Sequence, residues 1–324
     1  MKKNSRAVFM MVGALLFSTA SAVVAQDDFP TRPIRLVVPF TPGSGTDNTA
    51  RYLAREMELR FKSPVVVENQ PGANSFIAAK AVAGAAADGY TLLVSGSSAM
   101  TVNQALFKEL PYDPLKDFAP VARLAQGAMG LAVSASSPYQ SVPDLVNAMR
   151  EKEGSMNYGS GAASYFITTE LFLSLSKAKA VHVPYKGAAQ ALTDLVGEQI
   201  DFVFADYAAL VPFLNSGRLR MLAVTSADRL ESAPDIPTIS ESGYPGFEMV
   251  NWTSVFAPAG TSDHVIRKLS DAIVSIYEQP EALAFLATTN WSSIAAGPDI
   301  LRQYQIDEIA KWGDAAKIAN IEKQ

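Results

Sequence analysis

The chain has no cysteine and only two histidines, His182 and His264, in 324 residues. The first absence removes disulfides, thiol nucleophiles, thiolate metal sites and any acylated lipoprotein cysteine. The second leaves no imidazoles at ligand spacing, so each histidine reads as structural and neither a metal nor a cofactor is expected. A G-x-S-x-G elbow, an EF-hand loop and a Walker lysine are also missing. Ser174-Leu175-Ser176-Lys177 fits S-x-x-K in form only, because its companion motifs are absent. Acids outnumber bases, the net charge is −5 and no Lys/Arg run stands out, which argues against a nucleic-acid partner. Long apolar runs are lacking too. The one candidate, Ala7 to Phe17, is too short to span a bilayer.

That run follows Lys2, Lys3 and Arg6 and leads into the small residues Ser21 to Ala25, the pattern of a secretory signal peptide over residues 1–25. Cleavage is expected after Ala25, with Ala22 as the alternative. Residues 1–25 carry those three bases and no acid, so the mature balance falls to about −8. An exported chain without cysteine is most simply a soluble periplasmic protein.

The rest alternates strand-like and helix-like segments. Strands are expected at 34–39, 65–68 and 90–95, with helices at 46–61 and 77–87 between them, a βαβαβ rhythm that implies a mostly parallel sheet. An extended run at 119–135, interrupted by Gly127 and Gly130, reads as a crossing to a second α/β set. That set has helices at 142–153, 168–175, 188–196 and 208–214 and strands at 156–158, 180–184, 200–205 and 219–225. The run 247–257 reads as the return crossing, and helices at 263–277, 281–288 and 299–318 close the chain. A first domain of residues 26–125 plus 251–324, interrupted by a second of 126–250, leaves a cleft at the hinge beyond the carboxyl ends of the strands.

Gly/Ser loops sit at those strand ends. Phe40-Thr41-Pro42-Gly43-Ser44-Gly45-Thr46-Asp47 follows the first strand, Ser95-Gly96-Ser97-Ser98 another, and Gly159-Ser160-Gly161 one in the second set. They present many neutral donors and few fixed charges. A phosphate normally draws a lysine, arginine or metal in addition, whereas backbone N–H groups, hydroxyls and water can satisfy a carboxylate. The first-loop glycines are expected to lie exposed and to allow close backbone approach. Releasable binding fits better than turnover.

The stretches PIRLVVPFTPGSGTDNTAR, VVVENQPGAN, DGYTLL, LPYDPLKDFAPVARLA, VHVPYKGAAQALTDLVGEQIDFVF, LRMLAVTSADR and FAPAGT carry a family resemblance across essentially the whole mature chain. It resembles the Bug-type extracytoplasmic solute receptors, the substrate-binding components of tripartite tricarboxylate transporters. The resemblance implies an α/β, two-domain periplasmic binding protein fold (type II, Venus flytrap) with two crossing strands at the hinge. It also implies a small carboxylate ligand, an inner-membrane permease as partner, and no catalysis. The chain is expected to act as a monomer. Matching pocket positions are Phe40, Thr41, Gly43, Ser44, Gly45, Thr46 and Asp47, then Ser95, Ser97 and Ser98, then Gly159, Ser160, Gly161, Ala162, Ser164 and Tyr165, and finally Tyr185, Lys186, Gly187 and Asp206.

The chain departs from the family in two places. Ser44 adds a hydroxyl where the family usually has PGG, and the second-domain loop is shorter, with Tyr165 and Phe166 near the usual Ser-His pair. One of these aromatics is expected to face the cleft and favour an aromatic or aliphatic monocarboxylate or slim dicarboxylate over citrate. The alternative class is a periplasmic enzyme, or a sensor-kinase accessory receptor, on the same fold. Asp206 and Lys186 are then the only acid–base candidates.

Overall fold

The computed structural model describes residues 29–324, so the expected signal peptide lies outside the described residues. The first lobe opens with β1 (Ile34–Val38), α1 (Gly45–Phe61), β2 (Val65–Asn69), α2 (Phe76–Ala83) and β3 (Thr91–Gly96). A π-helical turn, Ser98–Val102, runs into α3 (Asn103–Leu106). β1 pairs in parallel with both β2 and β3. β1 and β3 are buried on both faces over most of their length, whereas β2 is a partly exposed edge. Leu36, Leu92 and Val94 enter one core while Val37 and Leu93 enter another, which is why they read as unbroken apolar runs.

β4 (Phe118–Ser134) is the long strand that joins the lobes. Phe118–Ala128 pairs antiparallel with β9 (Val250–Pro258), whereas Met129–Val133 pairs with β7 (Phe202–Asp206). The outward crossing therefore falls between Ala128 and Met129, and the chain returns at Met249–Val250. Between them lie α4 (Val142–Glu151), β5 (Asn157–Ser160), α5 (Ala163–Ser176), β6 (Val181–Pro184), α6 (Ala188–Val196), β7, α7 (Tyr207–Asn215) and β8 (Leu219–Val224). The sheet order is β2-β1-β3-β9-β4-β7-β5-β6, with β8 also on β4. Each lobe is thus a parallel α/β unit, and the strands that connect the two are antiparallel.

After β9 come α8 (Asp263–Tyr277), α9 (Pro280–Ala287), β10 (Trp291–Ala296) and α10 (Pro298–Ile318). β10 was not expected from the sequence and pairs antiparallel with β4, Trp291 opposite Gly127. Gly127 and Gly130 are packing clearances. A Cβ on Gly127 would lie 2.5 Å from Trp291 Nε1, and one on Gly130 would lie 2.6 Å from Met221 Sδ. α10 packs on both lobes: Leu301 joins the first-lobe core, while Trp312, Ala315 and Ala316 join the core holding Tyr158, Phe172 and Phe204. Among the described residues no helix is long and apolar enough to cross a membrane.

Candidate functional site

The first loop is shaped from within. Gly43 takes φ +86°, a conformation that suits glycine, and its N–H donates to Asp47 Oδ2 at 2.9 Å. Arg51 Nε donates to the same oxygen at 2.9 Å, and Asn69 Nδ2 reaches Asp47 Oδ1 at 2.8 Å and the Phe40 carbonyl at 3.0 Å. Burial works to raise the Asp47 carboxyl, but the hydrogen bonds from Arg51, Asn69 and Gly43 outweigh it and hold it below the usual carboxylate range. Asp47 is thus turned into the loop and does not line the cleft. Ser44 caps α1, its Oγ accepting from the Asp47 N–H at 3.1 Å. The loop is not exposed throughout: Gly45 is buried, and a Cβ there would meet Trp291 Cζ2 at 2.8 Å and Asp206 Oδ2 at 3.1 Å.

Three element starts converge on one cavity of about 320 Å³, part of it open to solvent. Ser44 and Thr46 come from the start of α1, Ser97 and Ser98 from the π-helical turn, and Ala162, Ser164 and Tyr165 from the start of α5. Helix starts carry unpaired N–H groups and the positive end of the dipole, and Ala162, at the cap position of α5, supplies no side-chain cap. The sequence placed this helix at Thr168. The observed start at Ala163 brings Ser164 and Tyr165 to the cavity, and the Ser164 N–H donates to Ser98 Oγ at 3.4 Å. Ser98 Oγ and Ser164 Oγ lie 3.4 Å apart, so the lobes touch across the site.

The cavity is acidic beside these starts, where Asp206 Oδ2 would lie 3.1 Å from a Cβ on Gly45. Asp206 ends β7 and is 5% exposed. Its Oδ1 accepts from Asn251 Nδ2 at 2.7 Å, and the Tyr165 hydroxyl also bonds its carboxylate. Burial pushes the Asp206 carboxyl above the usual carboxylate range, and the bonds from Asn251 and Tyr165 pull back against that shift. Tyr165 is pushed well up by burial and by the Asp206 charge. Asn251, Trp252, Gly96 and Phe40 complete the lining.

The other expected residues lie beside this cavity. Gly161, Ala162, Tyr185 and Lys186 line a second cavity together with Phe40 and Asn74. Gly187 faces Thr41 across the cleft; a Cβ there would lie 2.9 Å from Thr41 Oγ1. Gly159 packs under Tyr185, and Ser95 is buried in β3 with its hydroxyl unpartnered. Ser160 Oγ is 2.7 Å from His182 Nε2, and His182 stacks on Tyr158 at 5.1 Å and meets Phe166 at a tilt, 4.7 Å between centroids. Burial lowers the His182 pKa. Of the two adjacent aromatics, Tyr165 faces the main cavity and Phe166 turns to His182.

Sequence reasoning missed Asn251 and Trp252 as parts of the cavity lining. A polar Asn inside the apolar return strand was the available signal. Among the described residues no three His, Cys, Asp or Glu side chains gather to hold a metal ion.

Comparison with known proteins agrees with this architecture. Residues 49–321 match the family described as "Tripartite tricarboxylate transporter family receptor". Protein BugT of Bordetella pertussis is 33% identical over 318 residues, covering 97% of this chain and 98% of BugT. Among solved structures, R. palustris Rpa4515 with adipate superposes with a TM-score of 0.89 at 33% identity, over 92% of this chain and 100% of that one. MatC from Rhodopseudomonas palustris, with bound malate, gives 0.84 at 31% identity over 89% of this chain and 100% of MatC. The chain belongs to the tripartite tricarboxylate transporter receptor family, as a Bug-type solute receptor with the two-lobed fold of periplasmic binding proteins.

Proposed function

We propose that the protein captures a small carboxylate-containing metabolite between its lobes in the periplasm and delivers it to an inner-membrane permease. The observation that carries this reading is the convergence of three element starts, at Ser44, Ser97 and Ala162, on one cavity with no cation in its lining. Free N–H groups and hydroxyls hold a single negative charge well and release it when the lobes part. The similar structures hold adipate and malate, both small carboxylic acids. The domains are residues 26–125 plus 251–324 and 126–250, with the end of α10 resting on the second. The protein acts as a monomer after removal of its signal peptide.

The site residues are those of the cavity: Phe40, Ser44, Thr46, Ser97, Ser98, Ala162, Ser164, Tyr165 and Asp206, with Asn251 added. Asp206 and Lys186, the two acid–base candidates, line separate cavities, which supports binding without turnover. Native mass spectrometry of the purified protein tests the reading. A retained organic acid, unchanged after prolonged incubation, is the expected result. Conversion of that acid would move the protein to the enzyme class, and failure of every small carboxylate to bind would overturn the reading.

A further inference from the structure

The cavity that three helix-like starts make suitable for an anion also holds an anion of its own. Asp206 is buried in its wall, and no lysine, arginine or histidine is in the lining. The carboxylate is only partly provided for. Its Oδ1 receives Asn251 Nδ2 at 2.7 Å, and the Tyr165 hydroxyl approaches the same group. Because a carboxylate can only accept, the Asn251 amide must turn its nitrogen to Asp206, which leaves Asn251 Oδ1 facing the other way. That oxygen is buried and has no hydrogen-bond partner, in a residue 8% exposed that lines the same cavity. The wall therefore holds two acceptors, a carboxylate with two donors and a buried amide oxygen with none.

An acid entering alone would set a second carboxylate near Asp206 with no cation between them. A hydroxyl on the ligand brings one hydrogen and can answer one of the two acceptors. An ammonium group brings three hydrogens and a positive charge, and can answer both at once. We propose that the ligand is a carboxylic acid bearing an ammonium group, its carboxylate held at the starts of α1, α5 and the π-helical turn and its ammonium held by Asp206 and Asn251 Oδ1. The proposal rests on the receptor reading above and narrows it to amino acids and related zwitterions. Tyr165 then has a second task. Its hydroxyl bonds Asp206 and fixes the direction of the carboxylate, so the aromatic at the start of α5 orients the acceptor in addition to walling the cavity.

The test is calorimetric titration of the full protein with matched pairs that differ only by the amine: alanine and propionate, aspartate and succinate, phenylalanine and 3-phenylpropionate. At least one amine-bearing acid should bind about tenfold or more tightly than its partner, the gain usual for a charged hydrogen bond. Asp206→Asn should abolish that preference, bringing each amine-bearing acid to the affinity of its amine-free partner. Titration in buffers of different ionisation enthalpy needs no variant. The amine-bearing ligands should bind without proton uptake, and the amine-free acids should take up a proton to neutralise Asp206. Amine-free acids binding as tightly as their partners would overturn the proposal and leave the receptor reading standing. So would an amine preference that persists in Asp206→Asn. If no acid of either kind binds, both readings fall together.

Discussion

Two carboxylates, Asp206 in the cavity wall and Asp47 inside the neighbouring loop, are put to opposite uses, and pH should tell them apart. Asp47 is held below its usual range by Arg51, Asn69 and the Gly43 N–H. It contributes stability above its unfolded pKa, and that contribution is lost as pH falls through the depressed folded value. Asp206 has a raised folded value, so the linkage runs the other way: its stability is full at acid pH and is lost as pH rises through that value. Denaturant melts across the acid range should therefore show Asp47→Ala flattening the acid limb and Asp206→Asn removing a loss that grows with pH. Asp47→Ala should also cost about 1 kcal/mol near neutrality, since the Gly43 N–H loses its acceptor and the half-buried Asn69 amide keeps only the Phe40 carbonyl. An Asp47→Ala protein with unchanged stability at every pH would show that the loop does not depend on this carboxylate.

At the scale of elements, the strand absent from the sequence reading explains two glycines that were present in it. β10 places Trp291 against Gly45 of the first loop and Gly127 of β4, and the ring leaves no room for a Cβ at either. Gly127→Ala should destabilise by about 1–3 kcal/mol as an overpacking change, and hydrogen exchange at the amides of β10 should speed up. Protection in β10 equal to wild type would mean that the ring simply shifts.

The loops and most α/β elements were legible because their period and glycines are local: the helix Ala188–Val196 was read end to end. β10 was not legible because Trp-Ser-Ser-Ile-Ala-Ala offers one β-branched residue and no alternation, and only pairing with β4 makes it a strand. The start of α5 was missed because Gly161 to Ser164 has loop composition and only tertiary packing continues the helix through it. For the site, the Ser- and Gly-bearing loops could be read from strand ends. Asn251 was marked only as a polar residue in the return strand, because its partner Asp206 is 45 residues away.

The whole molecule is held by more than its two crossing strands. α10 has its first turns on one lobe and Trp312 in the core of the other, and Glu308 between them accepts from Trp252 Nε1 at 3.1 Å and Trp312 Nε1 at 2.9 Å. The C-terminal Gln324 N–H donates to the Leu106 carbonyl at 2.8 Å, and the Lys108 N–H donates to the Gln324 carbonyl at 2.9 Å. These ties lie on the side of α3 and α10. They leave the loops at Thr41, Ser98, Ser164 and Gly187 as the parts free to separate, so opening should swing those edges apart about β4 and β9. In this arrangement Ser98 and Ser164 are 3.4 Å apart and Asp206 reaches Asn251, contacts that require the lobes together. A ligand that touches both lobes binds the joined form better and shifts the population toward it. Small-angle scattering should give a larger radius of gyration for the ligand-free protein than for this structure, falling to the calculated value on addition of the bound acid. Trp252 lines the cavity and is tied to Glu308, so its emission should change in the same titration, and Trp252→Phe should remove that signal without removing the change in radius. Equal radii with and without a ligand that calorimetry shows to be bound would mean the lobes do not hinge, and the ligand would have to enter through the solvent-open side of a fixed cavity.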